Sequence, residues 1–512
     1  MSETAGVAAG EVADRAGTGW QRLHPLSPLV RGWKIVTVAA VILLQQSGDS
    51  LARGEGLPSG LQRTITLGIF GLVVLIALGF SLLSWRMSSY SVDAEALHLR
   101  TGVLNRQQRQ ARLDRLQAVD VVQPLLARFI GLAELRVEVA GGKGSAVRLS
   151  YLPESDAQNL RRLLLARAAG LRVEHHEQAP EAPEHVVLAV PVPRLIESLA
   201  RSSATAIALV GAVALVAVSV LLHSLAFVIA LVPAVIGLFG IQWARFNNGF
   251  TFRVATSPDG VRLHHGLLQT TAQTVPPGRV QAVRLAQPWL WRGRDWWRVE
   301  VNVAGYSGGQ PEGGQRGASD NLLLPVGTRQ EAVAVLSLVL PDLGVGPEEP
   351  VLAVLDAGLT GAGDFGGFTA SPRPARWLDP LSWRRHGFRV THRALLVRRG
   401  VLTRELDVVP HERTQSLRLE QGALQRRLGL VSFVLHSTPG PVQPRVEHLA
   451  AEVGARLMAE QAARAREARA RAVDERWMLG PATGQPPRHP PGQPPGQQAG
   501  SVSNLTSRPE SS

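Results

Sequence analysis

Two strings in this chain have residue types and spacing that chemistry uses. Gly305-Tyr-Ser307-Gly-Gly309 has the spacing of a nucleophile elbow, which exposes a serine at a sharp turn between a strand and a helix. The residues after it, through Gly317, are rich in Gly, Gln, Pro and Glu and start no helix, so the string reads as a loop. Gly361-Ala-Gly363-Asp-Phe-Gly366 has the spacing of a dinucleotide fingerprint, which needs a helix opening inside it to present amides to pyrophosphate. Pro372 and Pro374 follow too soon for that helix. His175, His176, Glu177 and His185 are metal-ligating types, yet their spacing fits no zinc motif and they sit in a linker-like stretch. His264 and His265 are neighbours on a strand and face opposite sides, so they do not share a ligand. The chain has no cysteine, which excludes disulfides, thiolate catalysis and cysteine-held zinc or iron–sulfur centres. No catalytic residue, cofactor or metal is predicted.

The remaining chemistry is that of arginine. The net charge of +13 is almost wholly arginine, with Lys34 and Lys143 the only lysines. One dense run holds Arg100, Arg106, Arg109, Arg112 and Arg115; another holds Arg384, Arg385, Arg393, Arg398, Arg399 and Arg404. Beside a membrane, such runs attract anionic lipid; a merely solvated face is the other reading. From these runs Arg100, Arg106, Arg109, Arg112, Arg398, Arg399 and Arg404 are taken as candidate lipid-binding residues.

The elements that must position these arginines repeat. Arg115-Leu-Gln117-Ala-Val returns as Arg279-Val-Gln281-Ala-Val and as Arg413-Thr-Gln415-Ser-Leu, with offsets of 164 and 134 residues. Gly102, Gly266 and Gly400 before the phrase, and Gln123, Gln287 and Gln421 after it, keep those offsets. Leu126-x-Arg128-x-x-Gly131-Leu132 returns as Leu424-x-Arg426-x-x-Gly429-Leu430, while the middle copy keeps Leu290 and Arg292. One domain is therefore used three times. A signature found in every copy points to a fold requirement, with each arginine bridging a hairpin carbonyl or a carboxylate such as Asp114 or Glu412. Alternating stretches such as 135–139, 299–303 and 433–436 read as strands. Each copy closes in a helical pattern, at 153–168, 328–340 and 446–463. The unit is a small β-sandwich or split barrel capped by a C-terminal helix.

Apolar runs separate the copies. Residues 65–85 and the uncharged stretch 202–242, with a turn at His223-Ser224, are long enough to cross a bilayer; 30–46 is at the lower limit. Arginine and lysine flank the runs while the loop at 223–224 has neither, which places all three repeats and both termini in the cytoplasm. The expected boundaries are a tail at 1–29, a transmembrane hairpin at 30–85 and domains at 86–171, 245–341 and 381–463. A second hairpin is expected at 202–244, linkers at 172–201 and 342–380, and a helical extension with a disordered tail at 464–512. Trp289, Trp291, Trp296 and Trp297 read as a cluster at the headgroup level.

The phrase Pro410-His-Glu-Arg413-Thr-Gln415-Ser-Leu417, then Leu424-Gln-Arg426-Arg-Leu-Gly429-Leu430, and the opening Leu23-His-Pro-Leu-Ser-Pro-Leu29 resemble the bacterial membrane-flanked pleckstrin-homology-like family, in particular its larger YdbT-type members. The resemblance covers roughly residues 20–460. It implies an α+β membrane protein: three PH-like β-sandwich or split-barrel domains, each capped by a helix, alternating with transmembrane helical hairpins. Arg112 stands where the later copies have Pro276 and Pro410, and no third hairpin precedes the last repeat. The expected function is a non-catalytic scaffold in the cell membrane that binds anionic lipids or protein partners, or associates with itself, with envelope-stress tolerance as a process it would serve. Nucleic acid is not an expected partner. A transport or export component is the alternative, and the runs 65–85 and 202–242 hold no ionisable residue apart from His223 at the turn, which counts against it.

Overall fold

The computed structural model describes residues 20–25, 27, 60–93, 95–102, 106–113, 116–139, 147–168, 184–223, 226–257, 260–276, 278–304 and 321–471. All lie within the compact unit Met1–Met478. The short run at 30–46, the serine string at 305–309, His175–Glu177, Asp114, Arg115 and the C-terminal tail lie outside the described residues, as does the side chain of Gln117.

The first repeat opens with β1 (Gln21–Arg22), whose Gln21 lies opposite Tyr90. Helix α1 (Leu61–Arg86) then leads directly into β2 (Ser89–Val92), β3 (Ala96–Thr101) and β4 (Gln107–Arg112). A second sheet follows: β5 (Leu116–Pro124), the single turn α2 (Leu125–Phe129), β6 (Leu132–Val139) and β7 (Val147–Pro153). Helix α3 (Glu154–Ala168) buries Leu160, Leu163 and Leu164 against both sheets.

The second repeat adds β8 (His185–Ala189) and α4 (Val192–Ala200), then α5 (Ser203–Leu221) and α6 (Ala226–Gly249). Its first sheet is β9 (Arg253–Ser257), β10 (Gly260–His265) and β11 (Gln269–Val275). Its second is β12 (Val280–Pro288), β13 (Trp296–Val303) and β14 (Leu322–Thr328), closed by α7 (Arg329–Val339). A capping box starts α7: the Thr328 hydroxyl accepts from the Glu331 amide, and Glu331 accepts from the Thr328 amide. Arg194 on α4 holds that same Glu331 at 2.6 Å.

The third repeat contains α8 (Val351–Leu359), β15 (Thr369–Ala370), β16 (Gly387–Val390), β17 (Ala394–Arg399) and β18 (Thr403–Pro410). Then come β19 (Ser416–Glu420), the turn α9 (Ala423–Arg427), β20 (Leu430–His436), β21 (Arg445–Ala450) and the long α10 (Ala451–Arg471).

The glycine landmarks mark the hairpin before the third strand of each first sheet. Gly266 and Gly400 have φ of +115° and +77°, and a Cβ there would lie 1.9 Å from the Gln269 carbonyl and 2.0 Å from that of Thr403. Only glycine fits such a turn.

Helices 68–86 and 203–221 are long and apolar enough to cross a membrane, and almost nothing along them is buried by protein. A helix apolar on all sides needs an apolar surrounding. Helix α6 runs back along α5, and Gln242 Nε2 donates to Leu199 O at 2.8 Å and Thr205 Oγ1 at 2.6 Å.

Two segments read as linkers contain folded elements among the described residues. Within 172–201, β8 pairs with β9 and Leu195 of α4 joins the core. Within 342–380, the apolar face of α8 inserts Val354, Leu355 and Leu359 into the core that runs from repeat two into repeat three. Glycine and proline dominate the average composition of 342–380 and hide the nine apolar-rich residues of this helix. The tryptophan cluster also departs from the expectation: Trp291, Trp296 and Trp297 fill that core, and Trp289 alone is exposed.

Candidate functional site

The three repeats are not beads on a string. Strand β5 of repeat one pairs antiparallel with β11 of repeat two, giving one sheet ordered β7-β6-β5-β11-β10-β9-β8. Strand β12 of repeat two pairs in the same way with β18 of repeat three, giving β14-β13-β12-β18-β17-β16-β15. The two junctions have one register. Val121 lies opposite Ala272 and Leu285 opposite Leu406, positions related by the same offsets of 164 and 134 that relate the sequence landmarks.

The repeated arginines stand at these junctions. Arg279 Nη2 donates to Leu116 O of the preceding repeat at 3.5 Å. Arg413 lies beside Gly278 of its preceding repeat, where a Cβ on that glycine would come within 3.5 Å of Nη2. The second signature arginine reaches forward: Arg128 Nη1 meets Thr270 Oγ1 of the following repeat at 3.5 Å, and Arg292 donates to Val401 O. Arg426 holds the same place in repeat three and is exposed. Gln281 donates to Arg279 O at 3.4 Å, and Gln287 receives Arg404 from across the second junction at 3.4 Å. Gln415 is exposed, with its amide donating to His436 O at 2.9 Å. At the two junctions Arg279, Arg128 and Arg292 thus each reach a group of a neighbouring repeat.

The strongest polar contact at a junction joins Arg284 of β12 to Asp407 of β18. Nε and Nη2 donate to the two carboxylate oxygens at 2.6 and 3.0 Å, and Nη1 donates to Pro441 O at 3.1 Å. Burial alone would lower the Arg284 pKa, but the charge and hydrogen bonds of Asp407 outweigh it and hold it above its ordinary value. Asn302, fully buried, adds a donor to Val442 O at 2.6 Å and accepts from the Val442 amide at 3.0 Å.

The candidate lipid-binding arginines separate into two groups. Arg100, Arg106, Arg109 and Arg112 are all exposed on or beside β3 and β4, and Arg100 lies over the Trp20 ring at 3.9 Å. Arg398 departs from its expected role. It is wholly buried, donates to Arg385 O at 3.3 Å, Ala357 O at 3.0 Å and Gly363 O, and lies 4.5 Å from the centre of the Phe368 ring. A guanidinium so placed reaches no headgroup. Arg399 is held by Glu405 at 2.6 Å, and Arg404 by Gln287.

His265 is buried and stacked on Phe252 at 5.3 Å, while His264 lies towards Glu184 at 3.6 Å, so the two face apart as their strand requires. Burial pushes the His265 pKa down to about 4. The unfolded chain takes up this proton near 6.5 and the native chain does not, so stability is lost as pH falls from 6.5 towards 4, by roughly 3 kcal/mol. Melting curves of His265→Phe are expected to lack this component of the acid sensitivity. Among the described residues Asp379, His386 and Glu447 bring possible metal-ligand atoms within 4.8 Å of one another. The imidazole there turns one nitrogen to each carboxylate, at 3.2 and 3.9 Å, and its burial lowers its pKa.

The family described as bacterial PH domain matches residues 37–168, 203–342 and 332–469. The first two matches include apolar helices, and in the third the buried α8 stands in their place. The chain is also 23% identical over 251 residues to the UPF0699 transmembrane protein YdbT of Bacillus subtilis (strain 168), an alignment covering 44% of this chain and 50% of that relative. It therefore spans half the length of the curated relative it matches. With three matches that together cover most of its length, the chain belongs to the bacterial PH domain family.

Proposed function

We propose that this chain is an integral protein of the cell membrane, a non-catalytic scaffold whose PH domains lie side by side on the cytoplasmic face and hold anionic lipid headgroups. The observation that carries the reading is the position of four exposed arginines. Helix α1 is separated from β2 by only two residues, so Arg100, Arg106, Arg109 and Arg112 follow closely on an apolar helix that ends at Arg86. Each basic residue near an anionic leaflet gains about 1 kcal/mol, so four acting together supply roughly 4 kcal/mol. That attraction weakens with salt as screening shortens its reach. The name of the Bacillus relative, a transmembrane protein, is in keeping with the membrane assignment. The placement of arginine and lysine around the apolar runs supports the cytoplasmic orientation.

The test is hydrogen exchange on the full chain in nanodiscs of neutral lipid alone and of neutral lipid mixed with phosphatidylglycerol. Residues 106–112 are expected to gain protection only in the anionic discs, and to lose that gain in the triple variant R106Q/R109Q/R112Q. Equal exchange in both lipids would remove the lipid-binding proposal.

A further inference from the structure

The two junctions show what the third repeat has left open. Strand β19 corresponds to β5 and β12, and it ends its sheet among the described residues, paired only with β20. Its sequence is that of a junction strand: Gln415-Ser-Leu-Arg-Leu-Glu-Gln421 against Gln281-Ala-Val-Arg-Leu-Ala-Gln287 in β12. The two glutamines, the arginine and the apolar residues on either side of it match, Ser416 and Glu420 stand where β12 has Ala282 and Ala286, and Arg418 falls on the place of Arg284. At the second junction this place is buried together with its counterpart across the sheet, Arg284 with Asp407, and the corresponding residues of the first junction, Asp120 and Gln273, are buried too. Arg418, by contrast, is 61% exposed and rests at 3.1 Å from Glu420 on its own strand.

We propose that the free edge of β19 is a docking site for an extended, antiparallel strand of a partner protein, one that sets a carboxylate opposite Arg418 as Asp407 is set opposite Arg284. The site is a continuation of an interface the chain already builds twice, so its register is known. The residue opposite Leu419 corresponds to Leu406, and the one before the carboxylate fills that apolar position. Backbone pairing supplies attachment, and the charged pair supplies selection.

The same register disfavours pairing of this edge with the open edge of a second copy. Strand β4 corresponds to β11 and β18 and is the last strand of its own sheet among the described residues. Laid on β19 of a second copy, it would place Gln108 opposite Leu419 and Arg109 opposite Arg418. Like charges directly opposite on neighbouring strands are destabilising. Arg109 therefore acts against edge-to-edge polymerisation, a role that charged side chains on edge strands commonly have.

A second copy with a corrected strand is the probe. Arg109→Asp gives β4 the carboxylate that β19 selects, and the purified full chain in detergent is expected to shift from single copies to head-to-tail assemblies at micromolar concentration. Co-expressed copies carrying Gln108→Cys on one and Leu419→Cys on the other then cross-link, which the otherwise cysteine-free chain makes unambiguous. Arg418→Asp, with Arg109 retained, reaches the same complementary pair from the other side and guards against a folding defect in either variant. R109D/R418D, with two like charges again, returns to single copies. The proposal is overturned if both single variants remain single copies, or if the wild-type chain already cross-links between positions 108 and 419.

Discussion

Asp407→Ala is expected to destabilise the folded chain by about 3–5 kcal/mol, because it strands a buried guanidinium. Asp407 is fully buried at the centre of the second junction, and both its oxygens are taken by Arg284. With the carboxylate gone, Arg284 keeps only Pro441 O and a glancing approach to Glu405 at 3.6 Å. The loss should appear as a lowered melting temperature of the full chain in detergent, with early exposure of β12 and β18 to hydrogen exchange. Replacing both partners by apolar residues, as R284M/D407L, should recover most of the stability, since a buried pair contributes little beyond a well-packed apolar one. If the single variant melts like the wild type, the pair does not hold the junction.

Arg398→Met should cost a similar amount, about 3–5 kcal/mol, through the loss of its buried hydrogen bonds to Ala357 O, which keeps the Gly361 amide, and to Arg385 O and Gly363 O. Arg398 and Arg385 together close the C-terminal end of α8, a helix with no αL cap. Arg398 donates to Ala357 O, and Arg385 to Gly358 O at 3.3 Å and Leu359 O at 3.2 Å. Cations belong at this end, where the helix carries partial negative charge. Burial nevertheless pulls the Arg398 pKa down to about 10, and burial with the neighbouring Arg398 pulls Arg385 to about 9. Methionine fills the volume but offers no donor, so α8 should fray and Phe368 lose its stacked cation. Protease sensitivity confined to 351–368, with melting lowered, is the expected signature; unchanged resistance there would show that α8 needs no such cap.

Much of the architecture was legible because the repeat is written in residues that cannot vary freely. Gly266 and Gly400 stand at turns that exclude any Cβ, so their spacing carries the strand plan directly. The capping helices were legible from periodicity, and α7 and α3 fall within a residue or two of their expected limits. What escaped was the joining of the repeats. Strand pairing between domains leaves no local pattern: Val121 and Ala272 each look like an ordinary residue of a half-buried strand.

The arginines show the complementary failure. Density in sequence singled out Arg398 alongside Arg100, Arg106, Arg109 and Arg112, yet charge alone does not tell a solvated strand from a helix cap. The nearby apolar run at 351–359, ending in a polar turn with no basic residue of its own, was the cue that a distant guanidinium must serve it. Arg279 and Arg292 reach carbonyls of a neighbouring repeat, a setting that the spacing within one repeat does not reveal.

The joining of the three repeats rests on two sheet junctions of one register. Paired cysteines in native membranes test it most directly, because opposite residues of an antiparallel pair lie within disulfide range. Val122→Cys with Thr271→Cys, and Ala286→Cys with Glu405→Cys, sit opposite one another at the first and second junctions. Both pairs should form intramolecular disulfides on mild oxidation, while Ala118→Cys with Thr271→Cys, out of register, should not. Failure of both in-register pairs to cross-link, with the chain otherwise folded, would contradict the shared sheets and return the repeats to independent domains.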